Sequence, residues 1–135
     1  VTSYPNRTSP VLRGKWVLEN LLGAPPPEPP PNVPTLEETN EEGKPLSMRQ
    51  AMTQHRENPA CAVCHTAMDP IGFSLENFDA VGGWRDLSEA GTPIDASGTL
   101  PDGASFTGPT GLRDLLLDRS DDFVGTVTEK SFSMT

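Results

Sequence analysis

The sequence predicts a mainly α-helical domain with one β-hairpin and a polyproline strap. Three observations predict it. Apolar residues recur at helical spacing behind capping residues at Ser9, Ser47 and Ser120. Pro101-Asp102-Gly103 sits between two short runs of strand character, as a hairpin turn would. Two proline triplets, 25–27 and 29–31, interrupt the chain between the first two helical patterns.

The first helix opens at Ser9-Pro10, with Ser as N-cap and Pro where its missing N–H costs nothing. Val11, Leu12, Trp16, Leu18, Leu21 and Leu22 form its apolar stripe, and Gly23 ends it. Residues 24–34 read as a polyproline II strut, which at ~3.1 Å per residue reaches roughly 34 Å. Residues 35–45 are acidic and turn-rich, a solvated loop. Ser47 and Gln50 make a capping box for a second helix over 47–57, which puts Met48, Met52 and His55 on one face. Asn58-Pro59 breaks that helix. Ser74 is expected to cap a short helix in the stretch that ends at Gly82-Gly83. The hairpin spans 93–108. A helix over 109–118 follows, with Leu112, Leu115 and Leu116 inward, and another starts at Ser120. These elements form one domain: an N-terminal helix (1–23), a polyproline and acidic connector (24–45) and a binding core (46–135).

The chain has 135 residues, of which 34% are hydrophobic, and carries 15 Pro and 12 Gly. That leaves few apolar side chains for a self-sufficient core, a shortage that a bound apolar cofactor would relieve. A net charge of −9 excludes nucleic acid as the expected partner, since phosphate binding rests on Lys and Arg. The longest aliphatic run is Leu115-Leu116-Leu117, so no transmembrane segment is expected. No signal peptide is visible after Val1, and the last helical pattern runs off at Met134-Thr135 without a stop. We expect a piece of a longer protein or a processed form.

The only two cysteines fall in Cys61-Ala62-Val63-Cys64-His65. A thioredoxin-like site would need a βαβ setting, and a helix precedes this motif instead. A closed zinc site formed by His55, Cys61, Cys64 and His65 has the right number of donors. Its spacing is poor, because adjacent Cys64 and His65 point apart. A c-type haem fits best. Thiols three residues apart on a helical turn reach two vinyl groups on one haem edge, and the next residue, His65, is carried over the iron. One covalent haem c, held by two thioethers, is the expected cofactor.

Three blocks then resemble a known family: "TSYPNRTSPVLRGKWVLENLLGAPPPEPPPNVP", "HRENPACAVCHTAMDPIGFSLENFDAVGGWR" and "PIDASGTLPDGASFTGP". They resemble the C-terminal modules of large secreted planctomycete-type cytochrome c proteins, modules of unknown function. The resemblance covers nearly the whole chain. It implies a small cytochrome-c-like helical domain around a covalent haem, upstream domains often including another haem domain, and a tail beyond Thr135. The family string H-R-x-N-P-x-C-x-x-C-H is matched at His55, Arg56, Asn58, Pro59, Cys61, Cys64 and His65. The resemblance supplies no reaction.

With His65 as the proximal ligand, five residues compete for the opposite position: His55, Met48, Met52, Met68 and Met134. Met68 lies three residues past His65 on the same turn, hence on the wrong side, and is expected to pack near the ring. His55 is favoured, because the Asn58-Pro59 break lets its helix fold back with Met48 and Met52 lining the same wall. Met134 is the alternative, and another Met or an open iron remains. A second histidine lowers the potential and a methionine raises it.

The expected function is a monohaem c-type cytochrome domain that relays single electrons within a larger extracytoplasmic, periplasmic or extracellular, redox protein. Its expected partners are other redox domains or cytochromes, some of them within the same parent. The alternatives are the haem module of a secreted oxidoreductase or peroxidase-like enzyme, and a structural zinc-binding module. No catalytic triad, phosphate loop or acid–base pair stands out. Asp95, Ser97, Thr99 and Asp102 alternate oxygens without the bidentate Glu of a calcium loop. Asn6-Arg7-Thr8 is a weak glycosylation sequon. Arg7, Arg13 and Lys15 are candidates for pairing with haem propionates. Trp16 and Trp84 are expected in the core or against the haem edge.

Overall fold

A computed structural model describes residues 2–5, 7–33, 36–37 and 39–133. Five helices and one two-stranded sheet appear in the order α1 (Pro10–Asn20), α2 (Met48–His55), α3 (Pro59–Phe73), β1 (Ser97–Thr99), β2 (Ser105–Thr107), α4 (Gly108–Asp118) and α5 (Ser120–Ser133). The class is mainly α with a small antiparallel sheet. Met134, the alternative distal ligand, and Asn6 of the sequon lie outside the described residues.

The helix starts follow the capping chemistry. The Leu12 N–H donates to Ser9 Oγ (3.2 Å) at α1, and the Ala60 N–H to Asn58 Oδ1 (3.0 Å) at α3. At α2 the box is reciprocal: the Gln50 N–H donates to Ser47 Oγ (3.2 Å) and the Ser47 N–H to Gln50 Oε1 (2.9 Å). The hairpin pairs Gly98 with Phe106, and Gly103 turns it in the left-handed region, at a φ of 89°.

Helix α3 differs from expectation. It runs unbroken through Pro70 to Phe73, and Ser74 is its C-cap rather than the N-cap of a new helix. Proline inside a helix forfeits one backbone hydrogen bond. Here Met68–Phe73 are all buried, and that packing outweighs the loss.

The principal helix pair is α1 on α3. Two glycines let them meet backbone to backbone. A Cβ on Gly14 would stand 2.0 Å from the Met68 carbonyl oxygen, and one on Gly72 would stand 1.8 Å from that of Pro10. On the other side of α3, Gly98 of β1 presses against Pro70, so α3 lies between α1 and the hairpin. Val17, Leu18, Leu22, Met68, Ile71, Leu100, Phe106, Leu112 and Leu115 form the core beneath. Leu112 and Leu115 are buried as expected, and Leu116 packs against the same cluster.

A buried polar network ties the N-terminal segment to the turn after α3. The Arg13 guanidinium donates to the carbonyls of Leu75 (2.9 Å), Phe78 (2.7 Å) and Asp79 (2.8 Å), and to Glu76 Oε1 (3.4 Å). Glu76 Oε2 accepts from Thr8 Oγ1 (2.9 Å) and Arg85 (3.0 Å). Arg13 is therefore a structural clamp and not a propionate partner. Burial lowers its pKa and raises that of Glu76. Neither tryptophan lies in the core, since Trp16 is 45% exposed and Trp84 is 61% exposed. Val17 and Leu18 of α1 are buried in the core, Val11 packs against it, and Leu12 borders a cavity.

Candidate functional site

Cys61, Cys64 and His65 lie on α3, one turn apart, and Asn58 and Pro59 start that helix just ahead of them. Helix α2 ends at His55, only three residues earlier, so the chain turns back there. The result is a close pair of imidazoles. The His55 and His65 ring centroids are 5.4 Å apart, with an interplanar angle of 73°.

Two cavities adjoin at His65. The first, about 380 Å³, is lined by His55, His65, Met48, Met52, Val11 and Leu12, with Tyr4, Arg7 and Leu36 at its border. The second, about 210 Å³, is lined by Cys61, Cys64, His65, Met68, Val11 and Leu12. Its remaining border comes from Pro26, Pro27, Pro29, Pro30 and Val33, with Lys15 alongside. His65, Val11 and Leu12 border both, so the two spaces meet around the His65 ring. Together they fall within the ~300–1,000 Å³ of small-molecule sites.

Every expected site residue among the described ones borders this space. Met48 and Met52 share the His55 side, and Met68 is buried on the cysteine side, away from His55. Both cysteines are free thiols. Arg7 lines the first cavity and Lys15, whose Nζ lies 3.6 Å from Glu19 Oε1, the second.

Asp69 was not singled out by the sequence. It is fully buried, and its Oδ1 lies 2.9 Å from His65 Nδ1. A carboxylate accepts, so Nδ1 carries the proton and Nε2 keeps its lone pair free for a metal. The signal was available in principle: Asp69 stands four residues after His65, the spacing at which helical side chains meet.

The donor set fits a c-type haem. It offers two thiols and an imidazole with a free Nε2 from one helix, a second imidazole opposite, and walls of Val, Leu, Met and Pro. Among the described residues, no three His, Cys, Asp or Glu side chains gather as a group that could hold a metal ion by themselves. The carboxylates of the possible calcium loop are engaged elsewhere. Asp95 accepts from the Ser97 N–H and hydroxyl, which lowers its pKa, and Asp102 pairs with Arg119.

Residues 1–88 match the model of the PSCyt3 family, described as a protein of unknown function (DUF1588). The chain belongs to this family of planctomycete-type cytochrome c domains. The PSCyt3 match spans α1, α2 and α3, and with them every expected site residue except Met134. The hairpin, α4 and α5 lie beyond it. No curated protein and no solved structure matches the chain. Among the described residues no helix is long and apolar enough to cross a membrane.

Proposed function

We propose that this PSCyt3 chain is a monohaem c-type cytochrome domain that relays single electrons. The observation that carries it is that Cys61, Cys64 and His65 of one helix line one cavity, while His65 and His55, with ring centroids 5.4 Å apart, line the cavity beside it. The bound haem would supply one-electron exchange between ferric and ferrous iron.

The chain's residues supply attachment, ligation and shelter. Cys61 and Cys64 would anchor the haem through thioethers, their S–H groups adding across its vinyl groups without an oxidant. His65, through its free Nε2, and His55, through its imidazole, are the residues that would hold the iron. Met48, Met52, Val11 and Leu12 exclude water on the His55 side. Met68 and the proline stretch would do so on the thioether side, where residues 24–33 would act as a strap. Ligation by both His65 and His55 would favour electron relay over the peroxidase-like alternative, because it would leave peroxide no site at the iron. The partners are other redox domains or cytochromes, some within the same parent chain. The compartment is periplasmic or extracellular, where such haems are attached.

Intact mass under denaturing conditions tests the reading. Protein matured in a host competent for c-haem attachment is expected to be heavier by one haem, and a bare polypeptide mass overturns the cytochrome reading. His55→Ala is expected to open the iron, giving a high-spin spectrum and carbon monoxide binding in the reduced form. A near-infrared sulfur-to-iron band in the native ferric protein would instead assign the distal position to methionine.

A further inference from the structure

We infer that Asp69, balanced by Arg56, is a positioning residue that sets the electron donation of His65 and through it the reduction potential. This rests on the haem reading of the site. Asp69 is 0% exposed, and its environment is unusual for a carboxylate. Oδ1 has the His65 Nδ1–H at 2.9 Å. Oδ2 is buried without a hydrogen bond, and the nearest cation, Arg56 Nε, lies at 3.6 Å, beyond hydrogen-bond length. Arg56 itself is three-quarters covered. A dry carboxylate therefore has one short bond, to the imidazole, and one oxygen facing a guanidinium across a gap.

Low dielectric strengthens that one bond, and a charged acceptor strengthens it further. An imidazole whose Nδ1–H is held by a carboxylate is a more basic ligand at Nε2. Greater donation and a nearby negative charge both stabilise the ferric over the ferrous state, so Asp69 lowers the potential. The Arg56 charge acts on the same carboxylate with opposite sign. Arg56 adjoins His55 in sequence, so both histidine-bearing helices contribute to the balance.

A merely structural bond, stapling one helical turn, would leave the potential alone. The test is therefore the midpoint potential of the haem-loaded domain in two variants. Asp69→Asn keeps the side-chain shape and removes the charge. It should shift the reduction equilibrium about tenfold toward ferrous, about 59 mV upward for one electron, with a low-spin spectrum retained. Arg56→Gln should shift it the other way, and Arg56→Lys should return it toward the parent value. In the reduced, diamagnetic protein the His65 Nδ1 proton should resonate far downfield and exchange slowly, and Asp69→Asn should move it upfield.

Potentials within twofold of the parent equilibrium in both Asp69→Asn and Arg56→Gln overturn the inference. If Asp69→Asn takes up no haem, Arg56→Gln and the parent's Nδ1 proton decide. An unmoved potential with a freely exchanging proton overturns the inference, and a lowered potential with a protected proton upholds it. Failure of the haem reading is separable, since it shows as a parent protein without haem mass.

Discussion

Helix α3, which carries His65, meets α1 backbone to backbone through Gly14 and Gly72, whereas α2, which carries His55, is attached by side chains. Ala51 and Met52 are the buried residues of α2. Its outer anchor is Arg49, whose guanidinium lies 4.2 Å from the Phe73 ring centroid and donates to the carbonyls of Asp95 (2.8 Å) and Ser97. Otherwise α2 makes only sparse contact with the other helices and strands. The difference teaches where rigidity resides. The attachment helix is fixed by close packing, which tolerates little change. The helix bearing the opposite histidine rests on contacts that can be altered one by one, and a ligand shared between the two histidines would add to them.

The largest effect is expected on the packed side. Gly72→Ala places a Cβ 1.8 Å from the Pro10 carbonyl oxygen, which is backbone and cannot swing away. The α1–α3 pair must separate, so about 3 kcal/mol or more of stability should be lost, the upper end of overpacking costs. Denaturant unfolding measures it. A variant with the parent's midpoint would mean that the two helices do not meet at that glycine, and the comparison would fail.

Arg49→Ala should act more gently and locally. It removes a cation–π contact and charged hydrogen bonds, a loss of about 2 kcal/mol. Faster amide exchange is expected in 48–55, with α3 exchange unchanged. Equal acceleration in both helices would show that α2 and α3 open as one unit.

Sequence reasoning read most of the element order because helix starts and turns depend on local chemistry. The Cys61–His65 spacing, the Ser47–Gln50 box and the Pro101-Asp102-Gly103 turn each need only a few neighbouring residues. What it missed depends on partners far along the chain. Gly14 and Gly72 look like ordinary helix-weakening glycines until α1 and α3 are brought together. Pro70 reads as a helix breaker until Met68–Phe73 are seen buried on both sides. Arg13 reads as a free cation until Leu75, Phe78 and Asp79 turn their carbonyls toward it. The exposure of Trp16 has the same origin, because helical spacing does not say which end of an apolar stripe will find a neighbour.

The smallest expected effect probes how the packed side is held together. Glu76 sits in the Arg13–Arg85–Thr8 network, and burial raises its pKa from the usual 4.5, against the pull of the Thr8 hydroxyl and the two guanidinium groups. A raised pKa means that the folded state binds this proton more tightly than the unfolded state does. Its contribution to stability is then largest below 4.5 and fades as pH rises through the raised value. Glu76→Gln keeps the shape but has no proton to exchange, so the difference between parent and variant isolates this group. As pH falls from neutral toward 4.5, the parent should gain stability relative to the variant. A tenfold proton preference is about 1.4 kcal/mol, and three partners oppose burial, so the gain should be modest. If the parent instead loses ground as pH falls, ion pairing with Arg13 and Arg85 outweighs burial. The α1–α3 side would then be held by charge as well as by close-packed backbone, and its contrast with the side-chain-anchored α2 would narrow.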